Sequence, residues 1–273
     1  MAAKSLVKPI LYLVLIGLSL FYLMPIYVMF ITSLKPLDQV TLADMWKLPT
    51  QIDFSSYVKA FTKLAPNFLN SIYLVVPATL ISALLGALNG YVLSKWRFKG
   101  SEVIFTAILF GMFIPYQSIL IPLIQFLREI GLYNSIPGLI LVHVVYGLPI
   151  TTLMFRNFYA SIPESMIESA QMDGAGFLRI FYYIMIPLSV TGFVVVAIWQ
   201  FTNIWNEFLF AVTITTSDQQ PVMVALQNLS GSQIVQWNVQ MAGALIAALP
   251  TLLVYIFLGK YFVRGLLAGS VKG

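Results

Sequence analysis

The sequence predicts an all-α membrane protein, with six transmembrane helices and one short cytoplasmic helix between the fourth and fifth. Three observations predict this. First, 59% of the 273 residues are hydrophobic and only 9% are charged, where a soluble domain carries about 25% charged residues. Second, apolar runs of about the twenty residues that a bilayer crossing needs recur along the chain. Third, the longest polar-containing stretch on the proposed cytoplasmic side, Ser161 to Pro187, is too short and too polar in its first half to cross. The absence of cysteine excludes disulfides and thiolate chemistry, and a sole histidine excludes a multi-histidine metal site. The chain is expected to form one transmembrane domain over residues 1–273.

The first span is expected at residues 10–31, behind Lys4 and Lys8. Its apolar core is longer than that of a signal peptide, so it is expected to stay in the membrane. Residues 32–67 mix charge, proline and aromatic residues and read as a folded external loop. The second span, 68–93, holds Gly86 and Gly90 in a GxxxG pair, which lets two helices approach closely. The third, 103–124, contains Pro115 and Pro122 and is expected to be kinked or broken. The fourth covers 137–155.

A loop over 156–185 follows. Within it, Ser161 and Glu164 have capping-box spacing, with Pro163 in the first turn. Glu164 and Glu168 fall where the positive end of the helix dipole favours them. Gly174 is placed as a left-handed stop. The expected helix has about ten residues and is roughly 15 Å long, half the roughly 30 Å of a hydrocarbon core. A second helix starts near Phe177 and enters the membrane past Pro187. The fifth span is expected at 186–214, a polar loop at 215–239 and the sixth span at 241–263, before a short tail.

Lysine and arginine set the orientation. With both termini cytoplasmic, Lys4, Lys8, Lys95, Arg97, Lys99, Arg156, Arg179, Lys260, Arg264 and Lys272 lie inside, against Lys35, Lys47, Lys59, Lys63 and Arg128 outside. The excess obeys the positive-inside rule, so the net charge of +5 is no nucleic-acid footprint.

Glu168-Ser169-Ala170, Gly174 four residues later, then Ile184 and Ile186-Pro187 resemble the cytoplasmic loop signature of ABC-importer permeases. That pattern is Glu-Ala-Ala, two or three residues, Gly, nine residues, Ile, one residue, Leu-Pro. Ser169 departs from alanine and Met185-Ile186 from the region around leucine, with spacing kept. Asp173-Gly174-Ala175 is similar to the carbohydrate-uptake branch. Asn70-Ser71, Gly90-Tyr91, Pro115, Pro122, Gly131 to Ser135 and Gly147-Leu148-Pro149 extend the likeness to the maltose-type permeases over nearly the whole chain, on the side of the shorter six-span partner.

This resemblance implies a permease subunit of a binding-protein-dependent, ATP-driven importer for a sugar or related polyol. Its implied partners are a second permease subunit, two cytoplasmic ATPase subunits, an extracytoplasmic sugar-binding protein and the lipid of a prokaryotic cytoplasmic membrane, with no nucleic acid. Glu164, Glu168, Ser169, Ala170, Asp173 and Gly174 would form the helix that couples to an ATPase. Gly269, Ser270, Val271, Lys272 and Gly273 resemble the family's Gly-Ala-Val-Lys-Gly tail and would contact the ATPases; alternatively, the tail's charges merely obey the positive-inside rule. No Walker A motif is present, since Gly259-Lys260-Tyr261 lacks its glycine spacing and its Ser/Thr. The chain is therefore expected to be non-catalytic and to bind no cofactor, ATP and Mg²⁺ being used by the partner ATPases.

Outside the loop, Trp205, Asn206 and Glu207 have two readings, solute gating or an interfacial anchor. Glu207 lies twenty residues after Pro187, roughly 30 Å along a continuous helix and hence near the outer surface. His143 has no acid within one helical turn and reads as a packing residue. Gln219, Gln220, Gln227, Asn228, Gln233, Gln236, Trp237 and Asn238 supply amides and rings that suit a neutral polyhydroxylated solute. The resemblance implies solute release by this loop; a merely solvated loop is the alternative. A secondary transporter driven by an ion gradient would need ionisable groups at the midplane, which are almost absent. A membrane enzyme would need a nucleophile, base or metal cluster, and none is evident.

Overall fold

The computed structural model describes residues 2–96, 98–229 and 235–270, and the side chains of 8–96, 98–229 and 235–261. Twelve α-helices and no strand occur among the described residues. Helix α1 is Ala2–Ser33, α2 Ser55–Lys95, α3 Ser101–Phe110, α4 Leu120–Glu129, α5 Ile136–Ala160 and α6 Glu164–Met172. Helix α7 is Phe177–Ile180, α8 Ile186–Leu188, α9 Val190–Trp205, α10 Leu209–Ile214, α11 Val222–Asn228 and α12 Trp237–Ser270.

Four helical segments are long and apolar enough to cross a membrane: Lys8–Ser33, Ser55–Lys95, Ile136–Ala160 and Trp237–Tyr261. Two helix pairs pass the same test only together, Ser101–Phe113 with Tyr116–Glu129, bent by 90°, and Phe177–Leu188 with Val190–Trp205, bent by 77°; counted as one broken span each, they bring the candidates to six. The first break falls at Ile114-Pro115, both in extended backbone. Pro115 has no N–H to continue the helix, and the residue before a proline avoids the helical region. The second break comes at Ser189, after a π turn over Phe181–Met185.

Three expectations need correction. The region 32–67 is not all loop: α2 begins at Ser55 and runs 41 residues. The fifth span is not one helix over 186–214, because the chain bends at Ser189 and leaves the helix again after Trp205. The capping box of Ser161 and Glu164 is not formed. Pro163 precedes α6 without a side-chain cap, and Ser161 ends α5, its hydroxyl donating to the Phe158 carbonyl at 2.6 Å. Two helix ends compete for one serine, and the carbonyl end takes it.

The chain forms two compact units, residues 1–65 with 225–249 and residues 66–224 with 250–273. In the first, Ala60, Val239 and Ala242 form the core, with Tyr57 and Ile246 against it. The Lys35 ammonium is buried and donates to the Asp44 carbonyl at 2.7 Å. Burial pushes its pKa below the ordinary lysine value. Lys35 is therefore a structural cation, not a free surface charge of the outer side.

In the second unit, α2 packs on α5 through small residues. A Cβ on Gly86 would run into Thr151, and one on Gly90 into Phe155 and the backbone of Arg156. Around this contact lie Ala83, Ala87, Tyr91, Phe155, Tyr159, Ile180, Phe181, Met185 and Val196. The Asn70-Ser71 pair ties α2 to the turn before α11. Asn70 Nδ2 donates to the Asp218 carbonyl at 3.0 Å, and Ser71 Oγ accepts from Val222 N at 2.8 Å. Gly131 and Asn134 take left-handed φ values of 70° and 60° in the turn before α5. Ser135 caps α5 by accepting from Gly138 N at 3.2 Å.

Arg156 clamps the cytoplasmic ends expected for the second to fourth spans. Its guanidinium donates to the Leu93 carbonyl at 3.2 Å, pairs with Glu102 and lies 3.8 Å over the Phe105 ring. Arg156→Ala is expected to destabilise the protein by about 2 kcal/mol, from the lost cation–π contact and charge-assisted bonds. Thermal unfolding in detergent measures this, and Arg156→Lys, which lacks the planar fork, should recover only part of it.

Candidate functional site

Helix α6 is a nine-residue segment held at the surface of the second unit by one side. Ile162 and Ile167 are buried in its main core cluster, and Ala170 and Ala175 pack against that cluster. Glu164, Glu168, Ser169, Asp173 and Gly174 are exposed, as are Met166 and Met172, the latter 81%. Ser169 turns its hydroxyl back onto the Ser165 carbonyl at 2.8 Å, so it stands in the helix as a small residue much as alanine would.

The stop of α6 has a defined geometry. Gly174 has φ +80°, its N–H donates to the Gln171 carbonyl at 3.0 Å, and Ala175 N–H donates to the Ala170 carbonyl at 2.9 Å. This is a Schellman motif, which satisfies the last carbonyls and turns the chain sharply. Beyond it, Phe177 stacks on Tyr91 with ring centroids 5.0 Å apart, and Phe181 stacks on the same ring at 5.6 Å. Lys95 Nζ donates to the Ile162 carbonyl just before α6. The short helix is thus packed to α2 on both flanks.

A second site lies between α5 and α9, in a cavity of about 470 Å³. His143, Trp199, Gln200, Asn203, Asn206 and Glu207 line it, with aromatic rings from Tyr116, Tyr146 and Phe210. His143 Nε2 stands 3.7 Å from Glu207 Oε2, too far for a hydrogen bond. The acid beside His143 comes from outside α5, from the turn between α9 and α10. Glu207 is no anchor at the end of a 30 Å helix either. The bend at Ser189 leaves α9 only 16 residues, and Glu207 sits in the turn before α10 with its side chain 18% exposed. Its carboxylate accepts from Phe210 N at 2.7 Å and Ala211 N at 3.1 Å.

The structure separates the three residues proposed for gating. Asn206 and Glu207 line the cavity, whereas Trp205 is buried, stacked on Phe201 at 5.6 Å and against Phe68 at 5.9 Å. Trp205 is a packing residue. Gln200 was not foreseen, although an amide within the apolar run of α9 is the kind of polar residue that marks a function in a span.

The loop amides divide as well. Gln219 Oε1 accepts from Ile136 N at 3.2 Å, and the Gln220 carbonyl accepts from Asn67 at 2.7 Å, so both have structural bonds in the second unit. In the first unit, Asn238 is buried and donates to the Lys35 carbonyl at 3.1 Å, while Gln236 and Trp237 are exposed. Gln227 and Asn228 close α11 with exposed side chains. Gln233 and Arg97 lie outside the described residues, as do Val271, Lys272 and Gly273 of the tail; Gly269 and Ser270 end α12, which continues past the expected boundary at 263. No group of three metal-ligating side chains occurs among the described residues.

Among the described residues, helices alone, several of them long and apolar enough to cross a membrane and a short one at the surface between two of these, define an integral membrane protein. The chain belongs to the binding-protein-dependent transport system inner membrane components, which it matches over residues 78–267. It is 47% identical to a probable ABC transporter permease protein of Pyrococcus horikoshii, over 97% of each chain. It is 35% identical to the glucose import system permease protein of Saccharolobus solfataricus, over 96% of this chain and 95% of the other. Its fold superposes on a chain of a bacterial ABC transporter involved in the import of the acidic polysaccharide alginate, with TM-score 0.81, 25% identity and coverage of 94% and 96%. The protein is a permease subunit of a binding-protein-dependent importer. The ion-gradient alternative finds no support in these relatives.

Proposed function

We propose that this permease imports a neutral sugar or related polyol and is driven through α6 by a separate ATPase. The carrying observation is the form of α6: one side buried by Ile167, the other exposed with Met166, Met172, Glu164 and Glu168, and a rigid glycine stop behind it. Exposed methionines beside carboxylates suit a cleft on a soluble partner. When two ATPase subunits close on ATP and Mg²⁺, α6 moves with them. The stacked Tyr91, Phe177 and Phe181 carry that motion to α2 as a rigid body.

In this reading a second permease completes the pathway, and an extracytoplasmic binding protein delivers the solute. Both termini lie in the cytoplasm of a prokaryotic cell, and the tail from Gly269 reaches the ATPases. The chain itself carries out no ATP hydrolysis. The sugar assignment draws support from the glucose permease of S. solfataricus and from the amide- and aromatic-lined cavity.

Co-expression with the partner subunits, reconstitution into proteoliposomes and uptake of radiolabelled glucose, xylose and maltose test the proposal. Uptake of at least one sugar that needs both ATP and the binding protein is the expected result. Uptake driven by a proton or sodium gradient without ATP would overturn it.

A further inference from the structure

We propose that the segment from Thr41 to Phe54, between α1 and α2, is a membrane-interface surface whose partner is lipid, at the boundary of headgroups and acyl chains. It goes beyond the importer reading and requires only that α1 crosses a bilayer. Five large apolar side chains of this segment, Leu42, Trp46, Leu48, Ile52 and Phe54, are 49% to 89% exposed. Apolar surface grouped in this way marks a partner, not a solvated loop.

A tether to α1 fixes the depth of the segment. Tyr27 Oη donates to the Trp46 carbonyl at 3.1 Å. Tyr27 stands six residues before Ser33, the last residue of α1, which is about 9 Å back along the helix axis. Long side chains in a helix lean towards its N-terminus, which takes the phenol further into the span. The apolar length of α1, Lys8–Ser33, has 26 residues, or about 39 Å. It overreaches a hydrocarbon core of about 30 Å by only about 5 Å at each end. Trp46 is therefore carried back to the edge of the hydrocarbon, where tryptophan is favoured. The chain then returns to the end of α1, where Asp53 N–H donates to the Leu34 carbonyl at 2.9 Å.

The polar groups of the segment suit a place with little water. The Asp44 carbonyl accepts from the buried Lys35 ammonium at 2.7 Å, and Thr50 N–H donates to Gln39 Oε1 at 3.1 Å. With the Trp46 carbonyl taken by Tyr27, these backbone groups have protein partners, as lipid demands. Charge is paired as well: Lys47 Nζ lies 2.8 Å from Asp44 Oδ1, and the Asp53 carboxylate accepts from Ser55 N and Oγ at 2.8 Å each. Lys47 has a stem long enough to lift its ammonium to the headgroups. Outward apolar side chains, bonded backbone and a boundary tryptophan together describe an interfacial segment, whose apolar groups enter the bilayer by about 5–10 Å. Lipid is the favoured partner because the surface continues that of α1, where Ile26, Tyr27 and Phe30 are also exposed.

The test places a nitroxide at Leu48→Cys or Ile52→Cys in this chain, which has no cysteine of its own. The labelled chain is assembled with cysteine-free partner subunits in vesicles of phosphatidylcholine and phosphatidylglycerol. Both side chains are exposed, so the labelled chain should fold as the parent does. Electron paramagnetic resonance power saturation compares collisions with oxygen, which concentrates in hydrocarbon, and with a water-soluble nickel chelate. Oxygen collisions should exceed those of the chelate at both positions, with and without an extracytoplasmic binding protein. Chelate in excess of oxygen at both positions puts the segment in water and overturns the proposal. A label that meets neither reagent, or that loses its oxygen collisions when the binding protein is added, places a second protein on this surface and overturns it as well. Failure of ATP-driven sugar uptake would remove the importer reading and leave this surface standing, since the collisions need no transport.

Discussion

Replacement of Gly174 by aspartate is expected to leave the protein in the membrane and to lower ATP-driven uptake at least about tenfold, the equivalent of roughly 1.4 kcal/mol. Gly174 holds φ +80°, a conformation that costs most other residues about 1–2 kcal/mol. No heavy atom lies within 4 Å of a Cβ at this position, so the cost is conformational and not steric. The packed core would survive, while the Schellman stop would relax and α6 would lose its fixed angle to the Phe177–Tyr91 stack. Uptake in proteoliposomes, compared with the amount of chain recovered from membranes, separates the two effects. Gly174→Asn gives the control: asparagine and aspartate both tolerate the left-handed region, but only aspartate sets a negative charge at the negative end of the α6 dipole, so the asparagine variant should retain more transport. Normal uptake by Gly174→Asp would remove α6 from the coupling path.

Gly90→Leu is expected to act in the opposite way, through folding. A Cβ at Gly90 would meet Phe155 Cβ, Phe155 C and Arg156 N, two of them backbone atoms that cannot rotate aside. Helices α2 and α5 would have to separate, loosening the contacts of Tyr91, Phe155 and Tyr159. Overpacking a core costs typically 1–3 kcal/mol, and a four-carbon side chain against backbone belongs at or beyond the upper end, about 3 kcal/mol. The expected readout is a sharp fall in recovered monodisperse protein and in its thermal midpoint in detergent. Unchanged stability would mean that the close approach of α2 and α5 does not hold this fold together.

The two sites differed in how far they could be read in advance. The surface helix was legible because its signals are local: the acidic first turn at Glu164 and the glycine stop at Gly174 lie within about three turns of one short helix. Only its start was misread, because Ser161 belongs to the end of α5 as much as to the approach to α6. The cavity was legible only in pieces. Asn206 and Glu207 stood out as polar residues near a span, but His143 is 64 positions from Glu207 in sequence, and they meet only because α5 packs on the α9–α10 segment. Gln200 was passed over as one amide in an apolar helix, and the backbone space that Gly147 gives it carries no local signature.

By itself the sequence determined that this chain is a helical membrane protein, that six apolar segments alternate with short polar ones, and that a short capped-off helix lies between the fourth and fifth. These properties follow from composition and from near-neighbour chemistry, since lipid forces every backbone group of a span to be satisfied within its own helix. The tertiary structure decided where the third and fifth segments bend, which glycines let helices touch, and which of the polar residues face each other. Those outcomes depend on close packing between segments far apart in sequence, where a single missing Cβ, at Gly86, Gly90 or Gly147, sets how near two backbones can come.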